Sequence, residues 1–452
     1  MRRRIKAGFW GLAAAVVLLL CLAACSNEKQ GEETGGVPTE AATSAPQPSG
    51  EPEPTDSPQP TKEPELTEDE KYWNEVLASF ADGEYDLTAA LTGESLQELC
   101  GDYFLLGAAM TGAGYENLAI HSKEYMAVLE KHFGSTTVTN LMKPVHMLDQ
   151  SRSQKNAAAG DPEPAVDFSR IESTLAWCAE HGVKMRGHTL VWHTQVPDWF
   201  FREGYENDGA YVDRETMLGR LDSYIKQVLS YCQDNFPGVV YCWDVVNEAV
   251  DPEKGDPNTS FSCRTESGDG PNLWYTVIGP DYVEQAFRIA RKYAAEGVSL
   301  IYNDYNVVDT QKCQYIYNLC KELADEGLID GIGLQGYWGI GWPSLGTIDS
   351  TIRKLAELGL EIQITELSID AEEATEEGFE QQAKRYAAIF ERLQRLDTDG
   401  GGPANITSVT MFGLMDGYVF YDNDESTSRW FDTNFQPKPV VDRVRAIFKI
   451  YY

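Results

Sequence analysis

Val239-Val240-Tyr241-Cys242-Trp243-Asp244-Val245-Val246 is followed at once by Asn247-Glu248. The first eight residues are almost all β-branched, aromatic or sulfur-bearing. Such a run predicts a strand over 239–246 that is buried on both faces, as strands of a parallel sheet are. Similar short runs recur in both directions, at 104–109, 136–140, 184–191, 300–303, 331–335, 361–365 and 409–413. Between them lie amphipathic stretches with helical spacing, at 171–181, 218–235, 282–296, 313–326 and 378–396. Eight strands alternating with helices predict an α/β fold, a (β/α)8 TIM barrel. The span is long for one barrel, so long βα loops are expected. Residues 251–280, rich in Gly, Asp, Asn and Pro, are one of them. No internal repeat is visible.

In such barrels the chemistry sits at the C-terminal ends of the strands. Polar residues gather there in this sequence. The third strand runs into Arg186-Gly187-His188-Thr189-Leu190-Val191-Trp192-His193, and the fourth into Asn247-Glu248. The fifth ends in Asn303-Asp304-Tyr305-Asn306, and the seventh in Thr365-Glu366-Leu367. Glu248 and Glu366 thus each follow an apolar β run. Two carboxylates across one cleft suit glycoside hydrolysis, in which one carboxyl gives a proton and the other attacks or stabilises the anomeric carbon. Apolar surroundings raise the pKa of the first, and hydrogen-bond donors hold down the second.

Composition narrows the partners. The 452 residues carry 37 Lys+Arg against 71 Asp+Glu, a formal net charge of −34. Nucleic acid and bare anionic membrane surfaces need a positive patch and are disfavoured. Neutral sugars remain open, and Trp and Tyr faces suit sugar rings. The 9 Cys show no CxxC pair, and the 6 His no HExxH, so neither metal nor cofactor is expected.

The N-terminus reads as an address. Arg2, Arg3, Arg4 and Lys6 precede an apolar run over 9–24, shorter than the ~20 apolar residues of a membrane span. The run ends in Leu22-Ala23-Ala24-Cys25, which resembles the lipobox of bacterial lipoproteins. That resemblance implies cleavage before Cys25, lipidation of its sulfur, and a place on the outer face of the bacterial cell membrane. Residues 26–66 are rich in Pro, Glu, Thr and Ser, cannot bury enough surface to fold, and read as a tether. The organisation expected is therefore a signal peptide over 1–25, a tether over 26–66 and a catalytic barrel over 67–452, with the membrane met only through the lipid and the chain a monomer. A helical lead-in is expected over 67–98. Seven cysteines would remain. Cys178, Cys232, Cys242, Cys313 and Cys320 lie in apolar or helical contexts that suit core thiols.

From about 99 to 448 the sequence resembles glycoside hydrolase family 10, the retaining endo-β-1,4-xylanases. The resemblance rests on six motifs in order: Phe104-Leu105-Leu106-Gly107-Ala108-Ala109, Asn140-Leu141-Met142-Lys143, the run 186–195 ending in Thr194-Gln195, Trp243-Asp244-Val245-Val246-Asn247-Glu248-Ala249, Asn303-Asp304-Tyr305-Asn306 and Ile364-Thr365-Glu366-Leu367. It implies Glu248 as acid/base and Glu366 as nucleophile, acting on xylan. It implies that Asn247 binds the 2-hydroxyl of the cleaved sugar, beside His188 and Trp192. Asn140 and Lys143 would grip the neighbouring sugar on the non-reducing side. Gln195 and Gln335 would be outer hydrogen-bonders, and Tyr305 and Asn306 would face the leaving group.

The chain departs from the family pattern within the site. Thr139 replaces a sugar-binding Glu, and Pro144 replaces a Trp. Tyr337 stands in place of His, Ser368 in place of Asp, and Phe412 and Phe420 in place of two Trp. Two changes fit together. In the family the His donates to the nucleophile and the Asp orients the His. A tyrosine hydroxyl could reach Glu366 with no orienter, and a carboxylate at 368 would then only repel it. The phenylalanines and Thr139 suggest altered recognition on the non-reducing side. Two alternatives stay open: a glycan-binding surface protein with degenerate catalysis, and a retaining hydrolase of another β-glycan or β-glycoside.

Overall fold

The computed structural model describes residues 66–112, 114–417 and 426–449. The signal peptide, Cys25, nearly all of the 26–66 tether and Phe420 lie outside the described residues.

Eight parallel strands close into a barrel in sequential order. They are β1 (Leu105–Met110), β2 (Ser135–Val138), β3 (Lys184–Trp192), β4 (Val240–Asn247), β5 (Ser299–Asp304), β6 (Gly331–Leu334), β7 (Glu361–Leu367) and β8 (Asn405–Met411). Outside lie α2 (Lys123–His132), α3 (Glu172–His181), α4 (Arg214–Asn235), α5 (Tyr282–Tyr293), α6 (Thr310–Asp325), α7 (Leu345–Ala356), α8 (Glu376–Leu396) and α9 (Pro439–Lys449), preceded by a lead-in helix α1 (Glu68–Ser79). The expected (β/α)8 barrel is thus the fold.

Start signals explain most boundary differences. Asp213 accepts from the Thr216 N–H at 2.8 Å and starts α4 before the first apolar position. Asp309 does the same for α6, accepting from Lys312 at 2.9 Å. Such side chains satisfy otherwise orphaned N–H groups of the first turn. The largest strand difference is β8, which begins at Asn405 rather than 409. Its polar residues are used: Ser408 accepts a hydrogen bond from the Tyr241 hydroxyl at 3.0 Å inside the barrel.

The lead-in is helical, as expected. Thr67 and Glu70 form a reciprocal cap on α1, and Trp73 is buried under the Lys131 ammonium, 4.8 Å from its ring centroid. The segment 251–280 holds a small hairpin, Glu266–Ser267 with Gly270–Pro271, and a short helix Leu273–Val277. All seven described cysteines are buried free thiols.

The barrel register sets the site's layout. Trp192 pairs with Asn247, Asn247 with Asn303, and Asn303 with Gly333. One level of the barrel therefore carries a Trp, two Asn and a Gly in a row across β3, β4, β5 and β6.

Candidate active site

At the C-terminal mouth of the barrel lies a cavity of about 310 Å³. Lys143, His188, Trp192, Gln195, Asn247, Glu248, Gln335, Tyr337, Glu366 and Phe412 line it together with Thr139. Ten of the expected site residues thus converge on one space.

Glu248 follows β4 in a left-handed backbone conformation, φ +58°. A non-glycine residue is held there only when its surroundings over-determine it. Those surroundings are visible. The Tyr302 hydroxyl accepts the Ala249 and Val250 N–H groups at 3.0 and 3.1 Å. Arg264, from the 251–280 loop, donates from Nε to the Glu248 carbonyl at 2.8 Å. The Glu248 carboxylate accepts from Gln335 Nε2 at 2.9 Å and from Trp192 Nε1 at 3.0 Å. Burial, with Asp304 and Glu366 adding negative potential, raises its pKa above the ordinary carboxylate value despite those donors.

Glu366 sits on β7 and accepts from two sides. Asn303 Nδ2 donates to Oε1 at 3.0 Å and the Tyr337 hydroxyl to Oε2 at 2.5 Å. The tyrosine ring packs edge-on against Phe412, centroids 5.4 Å apart. Tyr337 as a whole is exposed, but burial of its hydroxyl, and then the Glu366 charge, push that hydroxyl well above its usual pKa, so it stays a donor. Ser368 meets Tyr337 through the backbone: its N–H donates to the Gly336 carbonyl at 3.1 Å. The substitution pair expected from the sequence therefore has a direct hydroxyl-to-carboxylate contact.

Beneath the cavity Arg186 makes a two-pronged pair with Asp244, both fully buried. Burial alone would raise the Asp244 carboxyl, but Arg186 and His188 outweigh it and hold the pKa low. Asp244 also bonds His188 Nδ1 at 2.8 Å, which fixes that ring with its other nitrogen available to the cavity. Lys143 stands 4.7 Å over the Trp192 ring. Burial lowers its pKa to about 8, against the pull of Glu366 and Glu248.

Three expected residues lie elsewhere. Asn140 is behind Lys143, its Oδ1 accepting from Nζ at 3.1 Å, and is not part of the cavity wall. Tyr305 and Asn306 line an adjoining cavity with Arg264, whose Nη2 meets the Tyr305 hydroxyl at 2.9 Å. Trp243 is core: its ring lies over Gly187, where a Cβ would approach it to 2.4 Å. His193 is half-buried, and desolvation of its ring lowers its pKa to about 3.

Sequence reasoning did not single out Asn303 or Arg264. Asn303 links Glu366 to the Asn247 amide, 3.1 Å away, and its Oδ1 accepts from Thr365 at 2.7 Å. Its signal was its place in the same strand-end motif as Tyr305. Arg264 carried no local signal, because it reaches Glu248 across a long loop.

The model of glycosyl hydrolase family 10 matches residues 95–447. A Caldicellulosiruptor saccharolyticus protein, named as a proposed endo-1,4-beta-xylanase, is 44% identical over 66% of this chain and 94% of its own length. Endo-1,4-beta-xylanase B of Butyrivibrio fibrisolvens is 37% identical over 70% of this chain, but this chain covers only 46% of that protein. The structure of Clostridium thermocellum xylanase 10B modules with xylohexaose superposes with a TM-score of 0.70 at 30% identity, covering 79% of this chain and 67% of that one. The chain belongs to glycosyl hydrolase family 10.

Proposed function

We propose that the protein is a retaining endo-β-1,4-xylanase. The observation that carries this reading is a pair of glutamates lining one cavity. Glu248 accepts from Gln335 and Trp192 and has its pKa raised by burial, and Glu366 accepts from Asn303 and Tyr337. Glu248 then protonates the leaving glycosidic oxygen while a Glu366 oxygen attacks C1 and forms a glycosyl-enzyme. In the second step Glu248 takes a proton from water, whose oxygen attacks C1 and frees Glu366. Asn247, His188 and Lys143 line the same space with donors for sugar hydroxyls. Phe412 offers an aromatic wall beside Tyr337.

The reading extends to the whole chain. The basic residues 2–6, the apolar run 9–24 and Cys25 support a lipid-anchored protein on the outer face of the bacterial membrane. The Pro- and Glu-rich segment 26–66 would then tether a catalytic barrel, 67–452, acting as a monomer. A binding-only role would leave Glu248, its pKa raised above the ordinary carboxylate value, without a use.

The test is reducing-sugar release from xylan by residues 67–452, with Glu366→Ala in parallel. Release by the parent and a loss of about a thousandfold or more in the variant is expected. No release by well-folded parent protein would overturn the xylanase reading.

A further inference from the structure

The groups that touch the Glu248 carboxylate come from barrel strands, but its backbone is held in part by the long loop after β4. Arg264 is the centre of that hold. Its side chain is 11% exposed, and each nitrogen of its fork is engaged. Nε donates to the Glu248 carbonyl at 2.8 Å, and Nη1 to Asp251 Oδ2 at 3.1 Å. Nη2 donates to the Val250 carbonyl at 3.3 Å and to the Tyr305 hydroxyl at 2.9 Å. The Arg264 backbone N–H donates to the Ala249 carbonyl at 2.7 Å. One residue thus takes the three successive carbonyls of Glu248, Ala249 and Val250.

Arg264 is itself anchored. Asn272 Nδ2 donates to its carbonyl at 2.9 Å, and the Asp256 N–H to the preceding carbonyl, of Cys263, at 2.7 Å. The same loop also braces the end of β3. Trp274 is fully buried and donates from Nε1 to the Trp192 carbonyl at 2.9 Å. Ser267 Oγ donates to the His193 carbonyl at 2.7 Å. Trp192 is the residue whose indole donates to the Glu248 carboxylate. The loop therefore reaches Glu248 twice, at its backbone through Arg264 and at its carboxylate through Trp192.

This hold has work to do, because Glu248 sits at φ +58°, where a side chain other than glycine stays only under constraint. A planar guanidinium serves several oxygens at fixed angles, whereas an ammonium is a point charge on a flexible stem. Without the fork the peptide after Glu248 is free to turn, and the carboxyl moves off Gln335 and Trp192. A misplacement of about 1 Å in a reacting group costs about a hundredfold in rate.

We infer that Arg264 is a positioning residue for both proton transfers, holding Glu248 where it can protonate the leaving oxygen and later take a proton from water. This rests on the xylanase reading above. It makes the 251–280 loop a brace for the acid/base glutamate.

The test uses the full chain with two aryl β-xylobiosides. Dinitrophenolate leaves without protonation, whereas phenol needs the acid. Arg264→Lys keeps a positive charge beside Asp251 and removes the fork. It should lower kcat/KM on the phenyl substrate by about tenfold or more, and on the dinitrophenyl substrate by no more than about threefold. The ratio of the two losses does not depend on how much of the variant is folded. On the dinitrophenyl substrate kcat should also fall, because the water step needs the base. Azide should restore it, since it attacks C1 without a base, displaces Glu366 and leaves xylobiosyl azide as product. Arg264→Gln should show the same pattern. Equal losses on both substrates would reduce Arg264 to a structural role, and no loss on either would remove it from the reaction; each overturns the inference and leaves the xylanase reading intact. Wild-type protein inactive on both substrates and on xylan would fail that reading, and the inference with it.

Discussion

The Tyr337 hydroxyl lies 2.5 Å from the carboxylate of Glu366, the proposed nucleophile. In the family pattern an imidazole does this work and a carboxylate orients it. A phenol needs no orienter, because packing against Phe412 places the ring and the hydroxyl proton rotates to meet the carboxylate. It is also neutral, so it holds Glu366 less tightly than an imidazolium would. Removing it should therefore cost turnover rather than folding. A hydrogen bond to a charged group is worth about 1.5–3 kcal/mol, which predicts a fall in kcat of roughly 10–100-fold for Tyr337→Phe, with a thermal midpoint close to the parent's. Steady-state rates on xylan and a melting curve decide it, and an unchanged kcat would remove Tyr337 from the mechanism.

At the scale of elements, the site depends on what neighbouring strands leave out. Gly333 on β6 pairs with Asn303 on β5, and a Cβ there would come within 2.4 Å of Asn303 Oδ1. Gly333→Ala should push Asn303 away from Glu366 and Thr365. Overpacking of this kind costs about 1–3 kcal/mol, so a denaturant midpoint lower by that amount and a reduced kcat are expected together. A variant of full stability and full rate would show that Asn303 can shift without consequence. The same strand pair shows what the sequence could and could not reveal. The run ending at Asn303 was legible as a strand by its apolar pattern, and Glu248 and Glu366 stood out as carboxylates at strand ends. The role of Asn303 was not legible, because it depends on register across two strands. Helix α7 was missed although Ser344 caps it, accepting from Thr347 at 3.0 Å. Its short amphipathic run follows a Gly- and Trp-rich loop that reads as irregular. Arg264 was invisible for the same kind of reason, since only folding of the 251–280 loop brings it to the Glu248 carbonyl.

For the whole molecule, pH links the barrel to its helical lead-in through His132. This histidine ends α2, is fully buried, and its Nε2 lies 2.7 Å from the carbonyl of Ala90 in the lead-in. Its ring stacks on Phe431 from the loop after β8, centroids 5.7 Å apart. Burial, opposed only by the Ala90 contact, lowers its pKa to about 3. The half-buried His193, next to Trp192, is lowered likewise to about 3. Both are neutral when folded and titrate near the ordinary value of about 6.5 when unfolded. Between those values the unfolded chain binds more protons, so stability is full above about pH 6.5 and is lost as pH falls toward 3. Each histidine contributes a slope of up to about 1.4 kcal/mol per pH unit. The acidic charge of the chain acts in the opposite sense, since protonating surface carboxylates relieves repulsion within a molecule of net charge −34. Substitution separates the two. His132→Gln keeps a donor for the Ala90 carbonyl and cannot titrate, while the surface charge is unchanged. Unfolding free energies from denaturant titrations at pH 7, 6 and 5 should fall less steeply in His132→Gln, by close to one proton. Identical slopes would mean that His132 is protonated without cost in the folded protein, and that the seam between lead-in and barrel opens to water before the barrel unfolds.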